Sequence, residues 1–285
     1  MNSSKFKHRQ LKHLSFILKC KPYEIETIIE GIDKYYGNRV ESKLDKNNNP
    51  KTYLDGTVKT RILNPSYNRL KTLQSRIKTE ILDLQEFPSH IQGGVKGKSN
   101  ITNGKTHQGN YYVLTTDLQN FFPSVSNAMV YDLFLRLGYS NVMAGYLTKL
   151  TTYKYKLPQG TPTSTHIANL VSLDLDKELL SFCTERNITY TRFVDDLTFS
   201  SQHNFEVIIP VILKTILDFG FKISWRKTHY KPNQIITGIN VYNNYIDVPE
   251  KIKEKAKLES MIDSKAKPYS WYRDRVRSTN SSLLK

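Results

Sequence analysis

Cysteine is nearly missing from this 285-residue chain: Cys20 and Cys183 are the only two, 163 positions apart. Neither has a second Cys nearby, so the spacing fits neither a disulfide framework nor a thiolate metal site, and both are expected to be buried small hydrophobes. Long apolar runs are missing as well. No stretch approaches the roughly 20 apolar residues that a membrane span needs, and the opening MNSSKFKHRQLKHL lacks the apolar core of a signal peptide. The expectation is a cytoplasmic protein with no membrane partner. Acidic charge is scarce: 26 Asp+Glu stand against 42 Lys+Arg, a formal net charge of +16. That excess asks for a polyanionic partner. The apolar share, 38% with 11% aromatic, is enough for a sizeable core, since a chain of this length buries roughly three-quarters of its unfolded surface. Wholesale disorder is excluded.

No internal repeat or long low-complexity tract divides the chain, so one continuous body with subdomains is expected. Leu11, Leu14, Ile17 and Leu18, then Ile25, Ile28, Ile29 and Ile32, recur at three- and four-residue spacing and predict two short helices within residues 5–36. Residues 41–50 are polar and turn-rich, leading to a hairpin around Asp55-Gly56. Pro65 opens a helix with Leu70, Leu73, Ile77, Ile81 and Leu84 on one face, and Pro88 to Asn110 reads as a long loop, which inside a compact domain is usually functional. Tyr111–Asp117 predicts a strand, Ser126–Gly138 a helix capped by its final Gly, and Ser164–Cys183 one amphipathic helix. Residues 190–200 alternate like a hairpin with Asp195-Asp196 at its tip. A helix over Phe205–Phe219, capped by Gly220, precedes strands near Phe221–Ser224 and Ile235–Tyr242. Interleaved strands and helices with hairpins predict the class α+β.

Two adjacent carboxylates, Asp195 and Asp196, repel unless something neutralises them. A solvated hairpin turn is one account, since Asp is a common turn residue; a divalent metal is the other. Hard cations want oxygen ligands, and a two-ion phosphoryl-transfer site needs carboxylates from more than one place in the chain. Asp117, at the end of its own strand, is the natural third, with an N-cap as its alternative role. A further feature is Leu157-Pro158-Gln159-Gly160-Thr161-Pro162-Thr163-Ser164, ahead of an amphipathic helix.

In order along the chain, Asp117-x-x-x-Phe121-Phe122-Pro123-Ser124, Leu157-Pro158-Gln159-Gly160 and Phe193-Val194-Asp195-Asp196 resemble the palm motifs of reverse transcriptases. Asn103-Gly104-Lys105-Thr106-His107 resembles the Asn-Ala-x-x-His signature of the bacterial retron-type enzymes, and Ile236-Thr237-Gly238 their Val-Thr-Gly signature. The resemblance covers roughly residues 50 to 250 and departs from the pattern at Gly104, at Ile236 and at Phe193-Val194, where Tyr-Ala is usual. It implies a right-hand polymerase: fingers over 1–110 and the 143–165 neighbourhood, a palm over 111–248, and a short basic thumb over 249–285. The implied activity is RNA-directed DNA synthesis on a structured noncoding RNA from an internal 2′-hydroxyl. Deoxynucleotides are the substrates and an RNA–DNA hybrid the product, within antiphage defence and with a nearby effector or toxin protein as partner. Defence-associated reverse transcriptases with protein-primed or template-independent synthesis share the palm motifs, and a non-catalytic RNA-binding scaffold is the third class.

On the resemblance, Asp117, Asp195 and Asp196 hold two Mg²⁺ (or Mn²⁺) with the backbone carbonyl of Leu118 as an extra ligand. Phe122 lies under the sugar and rejects a 2′-hydroxyl, or else packs in the core beside Phe121. Gln159 touches the nucleotide. Lys59 and Arg61, on one face of an apparent strand, meet the triphosphate unless they form an ordinary solvated face, and Lys227 protonates pyrophosphate. The RNA-binding candidates are Asn103, His107, Thr237, Gly238 and Trp271, with a structural hydrogen bond as the alternative for His107. Residues 249–285 mix 10 Lys+Arg and 5 acids with Tyr269, Trp271 and Tyr272, a combination suited to stacking on unpaired bases. Residues 92–99 are one residue away from a phosphate-binding loop, but Ser99–Gly104 reads as a poor helix start. A basic Gly-rich loop meeting nucleic-acid backbone is therefore preferred to an NTPase.

Overall fold

The structure is a computed structural model and describes residues 3–45, 49–53, 55–232, 235–261 and 266–280. In chain order the elements are α1 (Ser3–Ile17), α2 (Pro22–Glu30), β1 (Arg39–Ser42), β2 (Thr60–Leu63), α3 (Asn68–Ile77), α4 (Asn100–Thr106), β3 (Tyr112–Asp117), α5 (Phe121–Ser124), α6 (Asn127–Arg136), α7 (Asn141–Thr151), α8 (Ser164–Val171), α9 (Leu173–Thr184), β4 (Thr189–Phe193), β5 (Asp196–Ser201), α10 (Ile209–Asp218), β6 (His229–Pro232), β7 (Ile235–Ile236), β8 (Ile239–Val241), β9 (Ile246–Asp247), α11 (Glu250–Ser260) and α12 (Pro268–Ser278). The class is α+β. The chain separates into two compact units: residues 1–86 with 120–171, and residues 87–119 with 172–285.

In the first unit, α1, α2 and α3 pack against α7, and α6 packs against α7 and α8. Their apolar stripes are buried: Leu11, Leu14 and Leu18 on α1 and just past its end, Ile25 and Ile28 on α2, Leu70, Leu73 and Ile77 on α3. The β1–β2 ribbon pairs Arg39 with Leu63 and Ser42 with Thr60, and the Asp55-Gly56 turn lies inside a Thr52–Val58 bridge. Two sequence expectations change here. The helix after Pro65 begins three residues later, at Asn68. Its apolar face also slips, because α3 runs into a π turn at Lys78–Leu82: one extra residue in the turn rotates the face, so Leu82 is buried and Leu84 is 72% exposed. Cys20 is only half-buried, whereas Cys183, in the second unit, is buried as expected; both are free thiols.

The second unit is built on an antiparallel sheet in the order β4-β5-β3-β6. Leu114, Leu197 and Phe199 are buried in it, and α9 packs beside β4 and α10 beside α9. A smaller sheet, β7-β8-β9, builds a cluster in which Val113 of β3, Ile101 of α4, Ile236, Ile239, Val241 and Ile246 meet Val276 of α12. The helices α11 and α12 pair with each other. Glu259 accepts from the amides of Tyr269 and Ser270 at 3.1 and 2.8 Å, and Arg277 pairs with Asp247 at 3.0 Å.

Several further expectations are corrected. The loop over 88–110 contains α4, and Ser99 is a good helix start: it caps α4 by accepting from the Thr102 amide, while the Thr102 hydroxyl accepts from the Ser99 amide. The run 164–183 is two helices, broken at the buried Ser172 between α8 and α9. No strand forms over 221–224, where Ile223 makes a single bridge to Leu118; the strand beside β3 is β6. Gly138 does follow α6, at φ +88°.

Candidate active site

The strand β3 carries alternating Val113, Thr115 and Asp117 opposite β5, and the register pairs Asp117 directly with Asp196. Directly opposed residues of an antiparallel pair project to the same face with Cβ atoms about 5 Å apart. Asp195 occupies the tight turn between β4 and β5, whose last pair is Phe193 with Asp196. The Asp195 carbonyl accepts from the Leu118 amide at 2.9 Å, so the end of β3 is stitched to the turn. Asp117 is 6% exposed. Burial, then the neighbouring charges of Asp195 and Asp117, push the Asp196 carboxyl up to about 7. Burial and the Asp117 charge raise Asp195 as well.

Lys227 ends a short 3₁₀ turn, Trp225–Lys227. Its ammonium donates to Asp117 Oδ2. Burial disfavours the ammonium, but the bond to Asp117 and the charges of the three carboxylates hold Lys227 above its ordinary range. The turn is itself fixed to β3: the Ser224 amide donates to the Asp117 carbonyl at 2.8 Å, and the Thr116 and Thr228 hydroxyls meet at 2.8 Å. Among the described residues no three His, Cys, Asp or Glu side chains converge as a finished metal cage; a lysine stands on Asp117 instead. The donor set nevertheless fits a hard dication, because mutually repelling carboxylates raised toward neutrality are what a divalent ion relieves.

Of the other candidate residues, Asn103 and His107 are both 0% exposed, which overturns direct RNA contact by their side chains. His107 Nε2 lies 2.7 Å from the Thr191 hydroxyl and Nδ1 2.7 Å from the Ser200 hydroxyl. Thr191 gives its proton to Asn103 Oδ1 at 2.7 Å, so it accepts from His107 Nε2–H, and Nδ1 accepts from Ser200. Burial drives His107 down to about 3, so it is neutral. Asn103 donates to the Thr237 hydroxyl at 3.2 Å, which joins the two signature tracts in one interior network. Gly104 fits the same packing, since a Cβ there would lie 3.0 Å from Ile239 Cγ2. Thr237 and Gly238 form the turn between β7 and β8, with Gly238 exposed. Trp271 is 62% exposed on α12.

The remaining candidates belong to the other unit. Arg61 pairs with Glu41 at 2.7 Å, and Lys59 lies over the Tyr53 ring at 4.9 Å. Phe122 is partly buried with its ring 5.7 Å from that of Phe121. The Gln159 carbonyl accepts from the Asn64 amide at 2.9 Å, tying its loop to the end of β2. The loop over 92–99 is no nucleotide cradle even though a helix follows it. No strand leads into it, only an Ile91–Arg192 bridge, and Lys98 is spent on the carbonyls of Ser89 and Pro88 at 2.6 and 3.4 Å. Sequence reasoning missed Asp176, Gly93 and Arg192, whose positions next to the aspartate turn come from tertiary contacts.

A family model described as reverse transcriptase (RNA-dependent DNA polymerase) matches residues 45–241, the stretch that contains all three aspartates. The chain belongs to the reverse transcriptase family. Its similarity is to the retron type: it is 34% identical over 213 residues to the retron Ec86 reverse transcriptase of Escherichia coli, covering 72% of this chain and 66% of that protein. To the retron Mx65 reverse transcriptase of Myxococcus xanthus it is 30% identical over 230 residues, covering 73% and 53%. The chain thus spans between about half and two-thirds of these relatives. A solved structure of telomerase from Candida albicans with a telomeric RNA fragment matches 83% of this chain and 54% of that one, at 12% identity and TM-score 0.49. Among the described residues, no helix is long and apolar enough to cross a membrane.

Proposed function

We propose that this chain is the polymerase of a bacterial retron, an RNA-directed DNA polymerase. It copies part of a structured noncoding RNA from an internal 2′-hydroxyl and stays with the RNA–DNA hybrid. The observation that carries the reading is the pairing of Asp117 with Asp196, with Asp195 in the adjoining turn, inside the region that the family model matches. On this reading Asp117, Asp195, Asp196 and the Leu118 carbonyl hold two Mg²⁺ or Mn²⁺. Bound there, the ions supply acidification of the primer hydroxyl and charge neutralisation of the triphosphate.

The chain's own residues do the rest. Lys227 hands a proton to the departing pyrophosphate. Phe122 fills the space of a 2′-hydroxyl, Gln159 meets the sugar and base, and Lys59 and Arg61 meet the triphosphate of the incoming deoxynucleotide. The +16 charge supports RNA as the lasting partner, with Trp271 and the Thr237-Gly238 turn at its surface and Asn103 and His107 supporting that turn from inside. The setting is cytoplasmic antiphage defence with an effector protein encoded nearby. Residues 1–110 with the 143–165 neighbourhood then serve as fingers, 111–248 as palm and 249–285 as a short basic thumb.

The test is to express the protein with its own locus and sequence the nucleic acid that copurifies. One dominant noncoding RNA is expected, joined to DNA through a 2′–5′ bond, so that RNase leaves a short ribonucleotide remnant and a debranching enzyme frees the 5′ end. DNA without an RNA linkage would favour protein-primed or template-independent synthesis, and a protein that incorporates no nucleotide with Mg²⁺ would be an RNA-binding scaffold.

A further inference from the structure

Beside the aspartate turn lies a fully buried ion pair: Arg192 of β4 and Asp176 of α9 are both 0% exposed. Burying two charges is costly and adds little stability over an apolar pair, so the arrangement calls for a use. The guanidinium fork is divided. Nε and Nη2 donate to the two oxygens of Asp176 at 2.8 and 2.7 Å, while Nη1 donates to the carbonyl of Val194 at 3.0 Å. The Tyr190 hydroxyl also donates to Asp176 Oδ1, at 2.7 Å.

Val194 is a residue that needs holding. It is β-branched, it sits at the first position of a two-residue turn, and its φ is +61°, where glycine is the ordinary occupant. A second support comes from the loop before α4. The Gln92 amide donates to the Arg192 carbonyl at 2.8 Å and the Arg192 amide to the His90 carbonyl at 3.0 Å, so the loop runs beside β4. This brings Gly93 so close that a Cβ there would stand 2.5 Å from Val194 N and 2.8 Å from the Phe193 carbonyl carbon. The strained peptide is therefore gripped at its oxygen by Arg192 and walled in by Gly93, and the next two residues are Asp195 and Asp196.

We propose that Arg192 is a positioning residue for the metal-binding carboxylates. Anchored by Asp176 and backed by Gly93, it holds Val194 in the left-handed region and so sets the direction in which Asp195 and Asp196 face. The proposal rests on the metal-ligand reading of those two aspartates given above.

The test measures Mn²⁺ binding to the full chain by electron paramagnetic resonance of free Mn²⁺, with no nucleic acid or nucleotide present. Beside it stand the Mg²⁺ dependence of nucleotide incorporation and the circular dichroism of the metal-free protein. Arg192→Lys keeps the charge but loses the divided fork. It is expected to weaken Mn²⁺ binding by about tenfold, the scale seen when a group that orients a metal ligand is removed. The Mg²⁺ concentration at half-maximal rate should rise by a similar factor, with kcat at saturating Mg²⁺ changed much less. Gly93→Ala leaves the ion pair intact and drives a methyl into the turn, and it is expected to act in the same direction. Adding Val194→Gly to Arg192→Lys removes the strain and should recover most of the lost affinity. Folded Arg192→Lys and Gly93→Ala proteins with wild-type Mn²⁺ affinity would overturn the proposal and leave an ordinary core ion pair. Should Arg192→Lys fail to fold, Gly93→Ala and Tyr190→Phe decide under the same criterion. A wild-type protein that neither binds Mn²⁺ nor incorporates nucleotide sinks the metal reading instead.

Discussion

Asp196→Asn should make the metal-free protein more stable at neutral and alkaline pH while abolishing DNA synthesis. A rise of the Asp196 carboxyl from its ordinary value of 3.8 to about 7 is worth, at about 1.4 kcal/mol per pK unit, about 4 kcal/mol. The partial exposure of the site screens part of this, so about 2 kcal/mol is expected. The native state holds a proton that the unfolded chain releases between about pH 4 and pH 7. Stability therefore falls as pH rises through that window, and above it the wild-type protein carries the whole cost. The amide that replaces the carboxyl never ionises. The variant's advantage is largest at pH 8, shrinks at pH 5 and vanishes near pH 4. His107, held down at about 3, contributes an opposite trend below about pH 6.5, but equally in both proteins, so it cancels from the difference between them. Urea or thermal unfolding in EDTA at pH 5 and pH 8 measures it, with a shift of about 3 °C expected at pH 8. Adding Mg²⁺ should stabilise the wild-type protein and not the variant, and polymerisation should fall by about a thousandfold or more, the scale of a lost metal contact in phosphoryl transfer. An Asp196→Asn protein that is equally or less stable than wild type at pH 8 in EDTA, or that keeps full activity, refutes the reasoning.

Phe122→Ala should admit ribonucleotides, reducing discrimination by about ten- to a hundredfold as the overpacking cost disappears; lost stability with an unchanged sugar preference would make Phe122 a core residue. His107→Ala leaves the Ser200 and Thr191 hydroxyls short of a buried partner and should cost about 2–4 kcal/mol, with RNA affinity of the folded protein unchanged; weaker RNA binding at wild-type stability contradicts the interior role. Trp271→Ala, on an exposed helix face, should leave stability within about 0.5 kcal/mol. Its single-stranded RNA binding should weaken by about 1–3 kcal/mol, the worth of one stacked base, as titration in moderate salt would show.

What the sequence determined is what depends on neighbours along the chain. Alternation placed a strand ending at Asp117 and a hairpin over 190–200 with the paired aspartates at its tip; structurally Asp195 lies in the turn and Asp196 opens β5. Three- and four-residue spacing placed the stripes of α1 to α3, and Gly138 the end of α6. The order of the motifs was enough to suggest the family, because each is a short local string. Local pattern could not say where a helix face would slip, as at the π turn after Ile77, or that Ser172 would split one amphipathic run into two helices. Nor could it say which polar residues go inside. Asn103 and His107 look like surface groups until Thr191 and Ser200, 88 and 93 positions away, enclose them. Arg192 reads as one more cation until Asp176 and the Val194 carbonyl divide its fork. Burying a polar group is tolerable only where its hydrogen-bond partners are already in place, and those partners come from remote strands and helices. The tertiary structure alone therefore decided which residues aim the aspartates and which hold the framework behind them.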